Sequence, residues 1–229
     1  MGGEPVRAVL FDLDGTLLDT LADIAWAMNS VLARNGYPVH PLDAYRSMVG
    51  SGLGALVRRA LPPGADTDSP QMPAVLEQEL RVAYASDPVG RTRPYEQIDE
   101  LVRQLRRMNM PLAVLSNKAE HLVQPIVSRF FAPDDFVVVR GMQNGVPAKP
   151  DPAGALLIAA ELDVLPRACL YLGDSDVDMI TARNAGMVPV GAGWGFRGQQ
   201  ELLDSGAACV LEQPLELLGV IAGSAEERR

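Results

Sequence analysis

The segment that most constrains this chain is Val6-Arg7-Ala8-Val9-Leu10-Phe11-Asp12-Leu13-Asp14-Gly15-Thr16, where a short apolar run stops at two carboxylates. Residues 6–11 have the length and composition of a strand buried on both faces, as in parallel sheets. Asp12 and Asp14 are two apart, so strand periodicity sends both side chains to the same side. Gly15 frees the backbone to turn, and the Thr16 hydroxyl can bond locally. Acids at the carboxyl edge of a parallel strand lie where open α/β sheets bind ligands. They also repel each other, so a divalent cation, a lysine or a raised pKa must compensate.

Apolar runs of strand type recur at 112–115, 136–139, 169–172 and 188–190, with a weaker one at 208–211. Helical spacing fills most of the gaps, at 98–108, 121–130, 153–162, 178–185 and 215–221. Strand alternating with helix predicts an α/β fold, a Rossmann-like parallel sheet core with helices on both faces. Residues 17–90 interrupt the alternation. The stretch 18–35 is an amphipathic helix with Leu21, Ile24, Ala25, Met28, Val31 and Leu32 on one face. Further helical patterns lie at 43–48, 53–61 and 73–85, and Trp26, Met28 and Met48 read as their core. The expectation is therefore an inserted all-α domain, 17–90, and an α/β core domain made of 1–16 and 91–229. Residues 17–20 and 86–94 are expected to act as hinge strands, 62–73 as a loop and 224–229 as a frayed tail.

Composition narrows the function classes. The chain has 229 residues, 48% hydrophobic and 21% charged, enough apolar material for a core. A net charge of −9 and a pI near 4.7 argue against nucleic acid as a partner. A small anionic substrate stays open, because a local lysine or a metal can outweigh the global field. Cys169 and Cys209 are each flanked by apolar residues and read as buried strand residues, not as a disulfide or zinc framework. The two histidines, His40 and His121, sit near no Ser/Cys/Asp constellation. The start shows no signal peptide and no stretch approaches a membrane span, so a soluble cytoplasmic protein, monomer or homodimer, is expected.

Three further points along the chain repeat the logic of the first strand. The run 112–115 ends in Ser116-Asn117-Lys118, a hydroxyl followed by exposed backbone N–H groups that can hold phosphoryl oxygens. Lys149 lies in the proline-stiffened stretch Val146-Pro147-Ala148-Lys149-Pro150-Asp151-Pro152, just before a helix. The run 169–172 ends in Gly173-Asp174-Ser175-Asp176-Val177-Asp178, a further acid-rich strand end that opens a helix. Each alone has an ordinary structural explanation. Their joint order is hard to explain by chance.

With Asp12-Leu13-Asp14-Gly15-Thr16-Leu17-Leu18-Asp19, Ser116-Asn117-Lys118, Lys149-Pro150-Asp151-Pro152 and Gly173-Asp174 with Asp178, nearly the whole chain resembles the haloacid dehalogenase-like superfamily. The branch it resembles is that of phosphoglycolate-phosphatase-like hydrolases, whose helical cap lies between the first and second motifs. The resemblance implies a Mg²⁺-dependent phosphomonoesterase of a small phosphorylated metabolite, with 2-phosphoglycolate foremost. Other small phosphates (sugar phosphates, nucleoside monophosphates, pyrophosphate) are the alternative, and a phosphomutase or a receiver-like signalling module stands further off.

The implied roles are these. Asp12 is the nucleophile that becomes aspartyl-phosphate, and Asp14 is the general acid and base, with Thr16 orienting it. Ser116, the Asn117 N–H and Lys149 hold the phosphoryl oxygens. Mg²⁺ is bound by Asp12, the Asp14 carbonyl and Asp174, with Asp178 orienting a metal-bound water. Asp14 favours an oxygen leaving group over a halide. The lack of lysine between Leu17 and Gly90 argues against Schiff-base chemistry. In the insert, Gly50, Ser51 and Gly52 form a glycine-rich turn whose N–H groups could meet a substrate carboxylate. Asp19 is expected to fix the hinge or cap the first inserted helix. Asp176, Arg46, Arg58, Arg93 and Trp194 carry no assigned role.

Overall fold

The strand at the first motif lies at the centre of the sheet, flanked on both sides by strands from much later in the chain. The computed structural model describes residues 4–65 and 71–226. Among them, β1 (Ala8–Phe11), β4 (Leu112–Ala119), β5 (Val138–Met142), β6 (Cys169–Gly173), β7 (Val188–Ala192) and β8 (Cys209–Leu211) form one parallel sheet in the order β5-β4-β1-β6-β7-β8. Two shorter strands, β2 (Leu18–Asp19) and β3 (Arg93–Pro94), pair separately. The chain winds outward from β1 through β4 to β5, then returns to β6 on the other side of β1. The strand order therefore reverses between β1 and β6, and the crevice beyond their carboxyl ends is where doubly wound sheets place ligands.

Alternation along β1 fills both faces of the sheet. Ala8 and Leu10 join Ala113, Leu115, Cys169 and Tyr171 in a buried cluster covered by the helices Ala153–Glu161 and Asp176–Ala185. Val9 and Phe11 point the other way and are equally buried. There Phe11 meets Phe136 edge-to-face at 6.1 Å, and Phe136 meets Phe131 at the end of the helix Glu120–Phe130. β5 begins at Val138, two residues after Phe136. The helix Ile98–Arg107 buries Ile98, Leu101, Val102 and Leu105 at helical spacing. Its first turn is acidic and its last turn basic, matching the helix dipole.

Three boundaries differ from expectation for identifiable reasons. The helix expected from 178 begins at Asp176, because Ser175 caps it through a reciprocal bond pair with Asp178. β4 runs past Leu115 to Ala119, with a register shift that leaves Ser116, Asn117 and Lys118 on an irregular stretch. The last helix continues to Glu226, with Ser224 Oγ donating to the Ile221 carbonyl at 2.7 Å, so 224–226 are helical; 227–229 lie outside the described residues. The expected loop 62–73 also lies partly outside them, at 66–70. The helix Gln199–Asp204 has too few apolar positions to be read from periodicity.

The chain divides into two compact units, one running up to Leu18 and on from Pro94, the other Asp19–Arg93. The second is helical: Leu21–Arg34, Tyr45–Met48, Leu53–Ala60 and Met72–Ser86. Met28 is fully buried, whereas Trp26 is 42% exposed, with the Arg91 guanidinium 5.1 Å from its ring centroid. Trp26 is therefore not core: it lies off the stripe set by Leu21, Ile24, Met28 and Val31. No sequence pattern hints at Asp23, a fully buried carboxylate of this unit. It accepts from Arg91 N at 3.0 Å, Thr92 N at 2.8 Å and Thr92 Oγ1 at 2.7 Å, with the Arg91 guanidinium at 3.3 Å. Asp23→Ala would orphan these donors, and chemical denaturation should read a loss of about 3 kcal/mol. Asp23→Asn, which keeps an acceptor, should lose less.

Candidate active site

Asp12 follows β1, and its N–H donates to the Leu172 carbonyl of β6 at 2.9 Å, fixing two strand ends together. Asp174 follows β6 directly, and Asp178 lies in the first turn of the helix that β6 feeds. Ligand oxygens of Asp12, Asp174 and Asp178 all lie within 4.8 Å of one another, and all three residues are buried. Lys149 stands among them. Its Nζ donates to Asp12 Oδ1 at 2.7 Å, Asp178 Oδ1 at 2.7 Å and the Leu115 carbonyl at 3.0 Å.

Asn117 sets that lysine in place. Its Nδ2 donates to the Lys149 carbonyl at 3.0 Å and its Oδ1 accepts from Lys149 N at 2.9 Å. The Asn117 side chain is thus a clamp on the lysine backbone, a use that the sequence, which points only to its N–H, does not reveal. The peptide between Lys149 and Pro150 is cis. The Ser116 hydroxyl is buried and accepts from Lys118 N at 3.2 Å.

The charges do not balance. Three carboxylates cluster here and two of them bond to the Lys149 ammonium, an excess of two negative charges over that lysine when all are ionised. Burial, followed by the charge of Asp178, pushes Asp12 up to about 7 even with Lys149 opposing. Burial and then the charges of Asp12 and Asp178 hold Asp174 well above the usual carboxylate range, against the Phe196 N–H. Burial disfavours the Lys149 ammonium, but Asp12 and Asp178 together outweigh it and hold the lysine above its ordinary value. Such clustering of shifted groups at a strand-end crevice marks a functional site.

The donor set fits a hard divalent cation. All ligand atoms are oxygens, and the excess charge is what a divalent ion cancels. Asp178 is the least available of the three. Its Oδ1 is held by Lys149, and its Oδ2 accepts from Ser175 N at 3.1 Å and Ser175 Oγ at 2.6 Å. Asp174 Oδ2 accepts from Phe196 N at 2.7 Å. Asp12 Oδ2 and Asp174 Oδ1 carry none of these bonds. The acidic cluster can hold a metal, with Asp12 and Asp174 as the donors that remain. Two glycines make the space: a Cβ on Gly15, whose φ is +93°, or on Gly195 would overlap the Asp174 side chain.

Asp14 does not bond to Thr16, contrary to expectation. The Thr16 hydroxyl is buried without a hydrogen-bond partner among the described residues. Asp14 Oδ1 instead meets Lys118 Nζ at 2.6 Å, because an ammonium outcompetes a neutral hydroxyl for a carboxylate. The Thr16 carbonyl accepts from Trp194 Nε1 at 3.0 Å, which gives Trp194 a part in fixing the first loop. In the sequence Lys118 belongs to its motif without a role of its own. Its position two residues after Ser116 is the one available signal.

The remaining candidates are placed elsewhere. Gly50, Ser51 and Gly52 belong to the helical unit, in the turn that opens Leu53–Ala60, with φ of +118° at Gly50 and +84° at Gly52. Ser51 Oγ accepts from Arg59 Nη2 at 3.2 Å. Asp19 Oδ1 accepts from Leu21 N at 3.3 Å at the entrance to the first helix. His40 is structural: its ring lies 2.8 Å from the Ala60 carbonyl, and Asn29 Oδ1 accepts from its N–H. Cys169 and Cys209 form no disulfide. No helix among the described residues is long and apolar enough to cross a membrane.

Comparison with known proteins identifies the family. Residues 9–192 match the model of the haloacid dehalogenase-like hydrolase family. A phosphoglycolate phosphatase of Pseudomonas putida is 36% identical over 196 residues, covering 83% of this chain and 70% of that protein. One from Mannheimia succiniciproducens is 29% identical, covering 94% and 98%. Among solved structures, a predicted phosphoglycolate phosphatase from Haemophilus somnus superposes with a TM-score of 0.85 at 25% identity, covering 94% of this chain and 97% of that one. With a family match spanning most of its length and the motif residues gathered at one sheet edge, the chain belongs to the haloacid dehalogenase-like hydrolase family.

Proposed function

We propose that this hydrolase is a Mg²⁺-dependent phosphoglycolate phosphatase that works through an aspartyl-phosphate on Asp12. The observation that carries the reading is the Lys149 ammonium bridging Asp12 and Asp178 beside the remaining oxygens of Asp12 and Asp174. The names of the curated relatives supply the substrate.

An oxygen of Asp12 attacks phosphorus, forming a carboxylate–phosphorus bond as the bond to the alcohol oxygen breaks. Asp14 gives its proton to the departing oxygen, then takes one from the water that attacks the phosphorylated Asp12. That second step frees Asp12 and releases inorganic phosphate. Ser116, the Asn117 N–H and Lys149 hold the non-reacting phosphoryl oxygens, and Lys149 opposes their charge. Asp178 acts through Lys149, holding it against Asp12. Asp12, the Asp14 carbonyl and Asp174 would hold Mg²⁺, which when bound polarises the phosphoryl group and neutralises the charge excess. The helical unit serves in this reading as a cap that selects substrate, with Gly50, Ser51 and Gly52 as its selecting turn.

The test is phosphate release from 2-phosphoglycolate, sugar phosphates, nucleoside monophosphates and pyrophosphate, with and without Mg²⁺. Turnover that requires Mg²⁺ and is led by 2-phosphoglycolate is expected; another leading substrate overturns the substrate assignment. Metal binding has a readout independent of activity. Mg²⁺ at a hundredfold excess over its dissociation constant should stabilise the protein by about 2.7 kcal/mol, raising Tm by roughly 5–10 °C. Asp174→Asn should abolish that rise.

A further inference from the structure

The sequence contains two lysines against eighteen arginines, and both lysines pair with carboxylates at the carboxyl edge of the sheet. Every other basic side chain is an arginine or one of two histidines. Lys149 bridges Asp12 and Asp178, and Lys118 pairs with Asp14. The Lys118 side chain is 8% exposed, and its ammonium lies 2.6 Å from Asp14 Oδ1. Its backbone is fixed from two sides: its N–H donates to Ser116 Oγ, and Gly141 leaves no space for a Cβ against its carbonyl. An ammonium is a compact charge with three donors, able to serve Asp14 and a second anion at once.

We propose that Lys118 is a further specificity-determining residue for the leaving alcohol, additional to the selecting turn at Gly50, Ser51 and Gly52, and that it binds a carboxylate carried one carbon from the ester oxygen. The inference rests on the phosphatase reading above, in which Asp14 touches the leaving oxygen. Lys118 touches Asp14, so a group two bonds beyond that oxygen comes within its reach. In 2-phosphoglycolate the carboxylate carbon occupies that position. The alcohol portion of a plain phosphate ester carries no charge, and the Lys118 ammonium gains no partner from it. No bond to Lys118 forms or breaks; it selects by charge alone.

The test compares 2-phosphoglycolate with ethyl phosphate, which has the same chain length and no carboxylate, on the full-length protein with Mg²⁺. The wild type should prefer 2-phosphoglycolate in kcat/KM. Lys118→Met and Lys118→Gln should cut that preference roughly ten- to hundredfold, mainly through KM for 2-phosphoglycolate. Lys118→Arg, which keeps the charge, should restore part of it. A lysine that merely supported Asp14 would lower both substrates alike and leave the ratio unchanged, and that result overturns the proposal while the phosphatase reading stands. A wild type that hydrolyses neither ester overturns the reading beneath it. Should the neutral variants fail to fold, Asp12→Asn protein can be acetylated under saturating amounts of either ester. Mass spectrometry resolves the two lysines, and 2-phosphoglycolate should protect Lys118 where ethyl phosphate does not. Equal protection overturns the assignment.

Discussion

Asp12→Asn should lower kcat by at least about ten-thousandfold while leaving the fold intact and making the metal-free protein more stable. The two effects have one origin. Asp12 sits in a buried cluster where it repels Asp174 and Asp178, and Lys149, bonded to it directly, opposes that repulsion. Its folded-state pKa, raised to about 7, means that folding favours its proton. That contribution is complete below the ordinary value of 3.8 and is lost as pH rises through about 7. Asparagine carries no charge at any pH, and Lys149 keeps its bond to Asp178. The variant should therefore match the wild type near pH 5 and gain about 1 kcal/mol or more at pH 8. Urea denaturation of metal-free protein at the two pH values, beside a kinetic assay, reads both effects. Near-normal turnover would remove Asp12 as the nucleophile. A stability gain of equal size at both pH values would mean that its charge is already compensated in the fold.

Most of this site is legible in the sequence because its residues follow strand ends. Val9, Leu10 and Phe11 have no face left for water, so the first acid after them is also the first polar group at the sheet edge. The same reasoning places Asp174 after Cys169–Gly173 and Ser116 within the extension of Leu112–Leu115. What it does not reach is pairing across the sheet. Lys118 and Asp14 are far apart in sequence, and only the neighbouring positions of β1 and β4 bring them to 2.6 Å. The expected Thr16–Asp14 contact fails for the same reason: a local hydroxyl is weighed without the ammonium arriving from another strand. The Asn117 clamp on Lys149 likewise depends on a loop from beyond β5 returning to the end of β4. Asp23 escapes because a charged residue near a helix start reads as a dipole or solvent residue, and nothing local reveals the donors at Arg91 and Thr92.

Lys149→Met should damage stability and turnover together. It leaves Asp12 and Asp178 buried with their shared counter-ion gone, a situation that costs about 3–5 kcal/mol where it has been measured. It also strips the phosphoryl oxygens of their charged partner, for which a fall in kcat of roughly a thousandfold is expected. The stability loss should shrink from pH 8 to pH 5 in metal-free protein, because protonating Asp12 removes one of the two uncompensated charges. Mg²⁺ should recover part of the stability by drawing on Asp12 and Asp174, and little of the turnover. Adding Asp178→Asn separates the two roles of the lysine. With Asp178 neutral, the Lys149→Met background has one buried charge fewer, and the double variant should regain a large part of the stability. Its activity should stay at the level of Lys149→Met, since the ammonium is still missing. The thermodynamic cycle built from the two single variants and the double should thus show strong coupling in stability. Additive stability effects would mean that Lys149 and Asp178 act independently, and the bridging ammonium would lose its place as the organising contact of the site.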